Sequence, residues 1–380
     1  MHHCVPGLWV LGLPHGIILV SLFRCARLTI GGMRKPAADL TATPRTDPTE
    51  IYRYRDCLYA DDMLIAALVH LDLFSWLARR GSATLAAICE ALGLVERPAD
   101  VMLTLFKARG LLVEENGAFH LSAEAAEYLV ADSPWFLGPY YGSLKDRRGA
   151  LDLLDVLRTG KPVLWGGKHH AQEDWHTAMA DDCYAARFTA AMDCRGVYLA
   201  QAAAKKLDLS TTTRLLDIAG GSGIYACSFV AHHPHLRVAV FEKPPVDDLA
   251  RKLILQRGFE ERVDVIAGDM FTPPLPADFD AHLWSNVLHD WDVPEVKTLL
   301  AESAAALRSG GLLIIHDAWL NPTKDGPLHV AEYSVTLAHG TQGRCYSIKE
   351  MTLWLHAAGF EEVRHFDTVA ARGVLTARRR

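Results

Sequence analysis

Gly220, Gly221 and Gly223 follow directly on the apolar run Leu215-Leu216-Asp217-Ile218-Ala219. A strand that passes through a glycine turn into a helix lets the backbone approach a ligand closely, because glycine lacks Cβ and tolerates positive φ. Open α/β sheets hold their ligands at this end of a strand. Taken alone, the turn also fits the dinucleotide pattern Gly221-x-Gly223-x-x-Ala226 or a bare strand-to-helix connection. A second group narrows the chemistry. Glu242 closes the run Arg237-Val238-Ala239-Val240-Phe241, at about the 20-residue offset where a carboxylate meets ribose hydroxyls. Two more loops follow apolar runs: Gly268-Asp269-Met270-Phe271 after Val263 to Ala267, and Ser285-Asn286-Val287-Leu288-His289-Asp290-Trp291 after Ala281 to Trp284. Among 18 histidines, His289 stands out by this position beside the ligand-binding turns. A neutral imidazole, with an ordinary pKa of about 6.5, can take a proton from a phenol or enol near neutrality.

The elements that must carry these groups alternate in type. Strand-like runs and helical stretches such as Ile224 to Ala231 take turns from residue 210 to the end, and a fifth strand-like run spans Leu312-Leu313-Ile314-Ile315. That alternation predicts an α/β fold with a doubly wound, mostly parallel, Rossmann-like sheet. Upstream, Ala60 to Trp76 has helical spacing, and Leu85 to Gly93 and Pro98 to Ala108 read as two short helices about a glycine turn. Gly110 to Leu121 then reads as a hairpin. This is a winged helix-turn-helix pattern, which raises DNA binding as an alternative class. The second helix offers only Lys107 and Arg109, too few for the phosphate contacts that dominate DNA affinity. Between Ser133 and Leu209 the chain is helical and rich in aromatic residues, suited to roofing a pocket for a flat molecule.

Together the Asp217-x-x-Gly-Gly-x-Gly turn, Glu242, Gly268-Asp269-Met270-Phe271 and His289-Asp290-Trp291 resemble the S-adenosylmethionine-dependent O-methyltransferases of the plant caffeate, acetylserotonin and bacterial polyketide-tailoring type. The match runs from Thr49 to Arg378. The resemblance implies S-adenosyl-L-methionine as cofactor. It puts Gly220, Gly221 and Gly223 under the methionine part, with Asp217 supporting the turn or the amino group. Glu242 would hold the ribose, Asp269, Met270 and Phe271 would lie at the adenine, and Ser285 would stand where plant members have a cofactor-contacting lysine. His289 would be the general base, oriented by Asp317, one methylene shorter than the usual Glu. Phe188-Thr189-Ala190-Ala191-Met192 matches a Phe-x-x-x-Met helix whose methionine packs on the acceptor, so Met192, with Asn286 and Asp290, is a substrate-side candidate. One departure stands out: the family's Gly-Arg-Glu segment reads Gly343-Arg344-Cys345, a cysteine where a second orienting carboxylate is usual.

The expected organisation is a leader over 1–48, an all-helical winged-helix dimerisation domain over 49–132, a helical linker and pocket region over 133–209, and the catalytic domain over 210–380. The expected protein is a cytoplasmic homodimer acting on a small molecule, an aromatic or polyketide-like hydroxyl. Carbon methylation of a pigment or quinone-like ring and nicotinamide-dependent oxidoreduction are the alternatives. A net charge of −6 argues against nucleic acid. Eight cysteines with no Cys-x-x-Cys read as reduced thiols, and the histidine clusters lack complementary ligands at metal spacing, so no metal is expected. Leu8 to Phe23 is apolar but interrupted by Pro14 and followed, not preceded, by Arg24 and Arg27. It fits neither a secretory signal nor a spanning helix, and Met33 is the expected start, with a membrane-surface anchor as the alternative.

Overall fold

The computed structural model describes residues 39–163 and 179–380. The apolar stretch Leu8 to Phe23, the Met33 start, and among the pocket-region aromatics and histidine clusters Trp165, Trp175 and His169-His170, lie outside these residues. The leader was expected to reach residue 48. Instead Leu40 is buried among Leu199, Ala203 and Leu207, and the Tyr198 hydroxyl lies 3.3 Å from Asp47 Oδ1, so the packed chain begins before Thr49.

The N-terminal part follows the predicted helix, turn, helix and hairpin. Thr84 caps the helix Leu85–Leu92 by accepting from the Ala87 N–H at 3.3 Å, and Gly93 ends it in the left-handed region. The helix Glu96–Ala108 comes next. Asn116 and Gly117, both at positive φ, then form the two-residue turn of the hairpin, as an Asn-Gly pair favours. An all-helical domain is not what forms. A short strand β1 (Ala83–Thr84) joins the hairpin strands β2 (Leu112–Glu115) and β3 (Ala118–Leu121) in an antiparallel sheet ordered β1-β3-β2. Two residues are too few to show an alternating pattern in the sequence, which is why β1 went unseen. The apolar stretch from Ala60 also divides: Ala60–Ile65 continues as a π turn over Ala66–His70, and a new helix runs Leu73–Arg80.

The Glu96–Ala108 helix is buried along Val101, Met102, Leu103, Leu105 and Phe106. The cations on and just after it are already engaged: Arg97 with the Gly343 carbonyl, Lys107 with Glu114, and Arg109 with Asp61 and Glu332. Against it packs the helix Leu328–Gly340 from the C-terminal part, whose Val330, Ala331, Val335 and Ala338 share one core with the N-terminal helices.

The main sheet is built from β4 (Arg214–Ile218), β5 (Arg237–Glu242), β6 (Val263–Ala267), β7 (Ala281–Ser285) and β8 (Leu312–Asp317). A two-residue parallel pair joins β9 (Trp319–Leu320) to β10 (Tyr346–Ser347), and β11 (Phe360–Asp367) and β12 (Gly373–Arg379) complete the large sheet in the order β11-β12-β8-β7-β4-β5-β6. Strands β8, β7, β4, β5 and β6 run parallel, while β12 and β11 are antiparallel. The doubly wound, mostly parallel sheet is thus present. All six residues of β8 are buried, as expected for a strand covered on both faces. From β4 the chain winds outward through β5 and β6, then returns to β7 on the other side. This switch point is where such sheets open a crevice at their C-terminal ends. Among the described residues, no helix is long and apolar enough to cross a membrane.

Candidate active site

A cavity of about 1320 Å³, open mouth included, lies over the C-terminal ends of β4, β5 and β7. Its roof comes from the helix Asp182–Lys206, held close because Gly196 leaves room for Ile224; a Cβ there would stand 2.4 Å from the isoleucine Cγ2.

At one end, backbone and two carboxylates shape the wall. Ala219 and Gly221 both take positive φ, and the Gly221 N–H donates to Glu242 Oε2 at 2.9 Å. The Lys243 N–H donates to the other oxygen, Oε1, at 2.8 Å, so Glu242 locks the glycine turn to the end of β5. Beneath the turn, Asp217 is fully buried, and among the described residues neither of its oxygens has a partner within hydrogen-bond geometry, the Ala226 N–H being the nearest donor to act on it. Burial pushes Asp217 up to about 8, with the charge of Glu242 adding to the effect. Burial also pushes Glu242 up to about 7, against the two N–H donors. Both acids therefore hold protons in the folded chain that they have lost in the unfolded chain, where carboxyls ionise near their ordinary values of 3.8 and 4.5. Their contribution to stability is full below those ordinary values and is lost as pH rises through the folded values. The melting temperature of the ligand-free protein should fall between pH 5 and pH 8, and Glu242→Gln should flatten that slope. Equal slopes for the two proteins in calorimetry would contradict the assignment.

Toward the other end, β7 stops at Ser285 and Asn286 turns the chain at φ 53, a conformation asparagine tolerates better than most residues. A single 3-10 turn, Leu288–Asp290, then brings His289 to the wall. β8 lies beside β7, pairing His316 with Ser285, so its next residue, Asp317, reaches the imidazole Nδ1. Burial opposes the charge of Asp317, but His289 and the Ala318 N–H outweigh it and keep the carboxyl below its ordinary range. With Nδ1–H donated to Asp317, Nε2 carries the lone pair. Asp290 Oδ1 stands 3.7 Å from Nε2, beyond hydrogen-bond distance, and burial raises this carboxyl to about 6.

Cys345, where a carboxylate was expected, is completely buried, its thiol pushed far up by burial and by nearby Asp317. Its N–H donates to Ser334 Oγ at 3.0 Å, and it packs in the core shared with the N-terminal helices. Gly343 explains the close fit of this segment: a Cβ would meet the His289 carbonyl oxygen at 2.0 Å. From the N-terminal part, Arg97 Nη1 donates to the Gly343 carbonyl at 3.0 Å and fixes the contact.

Of the residues singled out in the sequence, Gly220, Gly221, Glu242, Asp269, Met270, Ser285, Asn286, His289, Asp290 and Met192 all line this cavity. Four sit just outside it. Asp217 and Gly223 underlie the turn, Asp317 backs His289, and Phe271 packs edge-to-face on Trp291, which itself faces the cavity. Asp269 spends one oxygen on the Phe271 N–H at 2.9 Å.

Several wall residues had no signal in the sequence. Tyr225 OH accepts from Asn286 Nδ2 at 2.9 Å and bonds His316 Nδ1 at 2.8 Å. Burial lowers His316 to about 3, keeping it neutral, and its Nε2 lies 2.9 Å from Thr368 Oγ1. Tyr333 lies edge-on to the His289 ring at 5.6 Å, with the Arg372 guanidinium 4.3 Å above its own ring. Such contacts join residues far apart in the chain, and no local pattern announces them.

A family model described as an O-methyltransferase domain matches residues 151–361. The chain is 34% identical over 324 residues to a 3-hydroxy-5-methyl-1-naphthoate 3-O-methyltransferase of Streptomyces sahachiroi, covering 82% of this chain and 90% of that protein. It is 28% identical to the tetracenomycin polyketide synthesis 8-O-methyl transferase TcmO of Streptomyces glaucescens, covering 85% of this chain and 95% of the relative. Among solved structures, an O-methyltransferase family 2 protein from Planctomyces limnophilus in complex with apigenin superposes with a TM-score of 0.80 at 31% identity, covering 90% of this chain and 99% of that one.

Proposed function

Because the chain belongs to the O-methyltransferase family, we propose that it methylates a hydroxyl on an aromatic or polyketide-like small molecule with His289 as general base. The cofactor is S-adenosyl-L-methionine, which when bound would supply an electrophilic methyl group on a sulfonium whose leaving group is a neutral thioether. The residues present fit it. Asp217 brings two buried, unpartnered oxygens, Glu242 brings a carboxylate facing the cavity, and no basic loop for phosphates is needed. Asp217 supports the turn or the amino group, Glu242 holds the ribose, and Asp269 and Met270 flank the adenine, with Phe271 behind them and Ser285 beside.

The single observation that carries the catalytic reading is the His289–Asp317 pair at the cavity wall. Asp317 fixes the tautomer and balances the imidazolium charge; Nε2 accepts the acceptor's hydroxyl proton while the oxygen's electron pair forms the new bond to carbon. Met192 packs on the acceptor ring, and Asn286 and Asp290 border its reactive oxygen. Two curated relatives are named for hydroxyls on a naphthoate and a polyketide, which favours an acceptor of that class here. Screening phenols and hydroxyquinones with methyl-labelled cofactor tests this, with the product analysed for an O–CH3 bond. Protection against heat by nicotinamide dinucleotides but not by S-adenosylhomocysteine would reverse it.

Residues 49–132 are a winged-helix dimerisation module in this reading, followed by the pocket region 133–209 and the catalytic domain from residue 210, in a cytoplasmic enzyme. Ile51 and Tyr54, one turn apart on the helix Thr49–Asp56, and Leu58 in the turn after it are 68, 72 and 59% exposed, an apolar surface that a second copy would cover. Light scattering should find a dimer, and Ile51→Glu with Tyr54→Glu should yield monomers. A monomeric, active native chain would contradict the assignment.

A further inference from the structure

Resting on the methyl-transfer reading, we infer that Arg195 binds a carboxylate of the acceptor, so that the substrates are hydroxylated aromatic acids. Arg195 lies on the roof helix Asp182–Lys206, one turn from Met192, and lines the same cavity as His289 and Asn286. Its Nη1 donates to Tyr333 OH at 3.2 Å. Among the described residues no carboxylate lies within ion-pair distance of its guanidinium, because the acids nearby are otherwise engaged or stand farther off. Asp193, on the same helix, pairs with Arg257 at 2.5 Å. Asp56 pairs with Arg372 at 3.2 Å. Asp290 feels the charge of Arg195 but stands beyond ion-pair distance from it.

The contrast with Arg372 is informative. Both arginines touch Tyr333, one over its ring and one at its hydroxyl. Arg372 is saturated: Nη2 on Asp56, Nε on Asn286 Oδ1 at 3.4 Å, and Nη1 on the Ala370 carbonyl at 3.2 Å. It serves the wall. Arg195 has one neutral partner and a surface on the cavity. A guanidinium has five N–H donors in a planar fork matched to a carboxylate, and a cation held against apolar walls is costly without a counter-charge. The same cavity is lined by the apolar Met192, Phe188, Val287 and Leu337, which suit a flat ring. Tyr333 spans from the Arg195 contact at its hydroxyl to the edge of His289 at its ring. A rigid aromatic with its carboxylate on Arg195 can therefore present a ring hydroxyl to Nε2, and one anchor at each end fixes which hydroxyl is methylated.

Calorimetry on the protein saturated with S-adenosylhomocysteine tests this without turnover, using hydroxynaphthoates and their methyl esters. The native protein should bind acid over ester by about ten-fold or more, the scale of one charged hydrogen-bonded contact. Arg195→Met and Arg195→Gln should erase that preference while leaving S-adenosylhomocysteine affinity and ester affinity unchanged, and Arg195→Lys should restore part of it. Reduced S-adenosylhomocysteine affinity in both variants would assign Arg195 to the cofactor's carboxylate and overturn the inference. So would equal losses for acid and ester, the mark of a structural role. If the acid preference is present and Arg195-dependent yet no compound is methylated, the methyl-transfer reading fails and the carboxylate site stands.

Discussion

Replacing His289 with Ala or Gln should lower kcat by about 10²- to 10⁴-fold while the affinity for S-adenosylhomocysteine stays within two-fold or so of native. The imidazole touches Asp317 and faces the cavity, and the glycine turn and Glu242 lie at the opposite end, so its loss falls on proton transfer. Asp317→Asn should cost less than removing the ring, through a wrongly held tautomer, and the two losses should not add when combined, because they act on one step. The measurement is a single-turnover rate on a verified acceptor. Raising the pH should recover activity in the His289 variants for acidic acceptors, since an already ionised oxygen needs no base. Full activity at neutral pH would leave proximity alone as the catalyst.

The sequence made the site legible where the chain itself brings groups together. The glycine turn, Glu242 and the His289 loop each follow a strand end, and parallel strands align their ends, so the order of motifs along the chain maps onto one rim. What stayed hidden depends on contacts across the fold. Arg372, near the C-terminus, meets Asp56, near the start of the packed chain, only because the helix Leu328–Gly340 and the N-terminal helices share a core. Gly343 was visible only as part of the Gly-Arg-Glu-like segment, and its need for glycine shows only against the His289 carbonyl. The departure at Cys345 was visible, but not its setting. A buried thiol in an apolar core means that Cys345→Glu would bury a second carboxylate beside Asp317, so the variant should lose stability rather than gain an orienting group.

The glycine turn shows the same division, and it carries a second large effect. Among the described residues a Cβ at Gly221 would meet no protein atom within 4 Å, so within the fold only its φ of +56 asks for glycine, and any crowding there is against the bound cofactor. Gly221→Ala should therefore cost about 1–2 kcal/mol of backbone strain in the ligand-free protein. Gly220 is the crowded position, since a Cβ would sit 2.6 Å from Asp217 Oδ2 and 2.7 Å from its Cγ, in a buried place with nowhere for the carboxylate to go. Gly220→Ala should lower the melting temperature and reduce S-adenosylhomocysteine affinity by about 100-fold or more, because either the turn lifts off β4 or Asp217 is displaced. The double variant Gly220→Ala with Asp217→Ala separates the two causes. Removing the carboxylate relieves the overlap, so stability should recover, while affinity should not if Asp217 holds the turn or meets the cofactor's amino group. Recovery of both would mean that Asp217 is a spectator and that Gly220 is there only to fit over it.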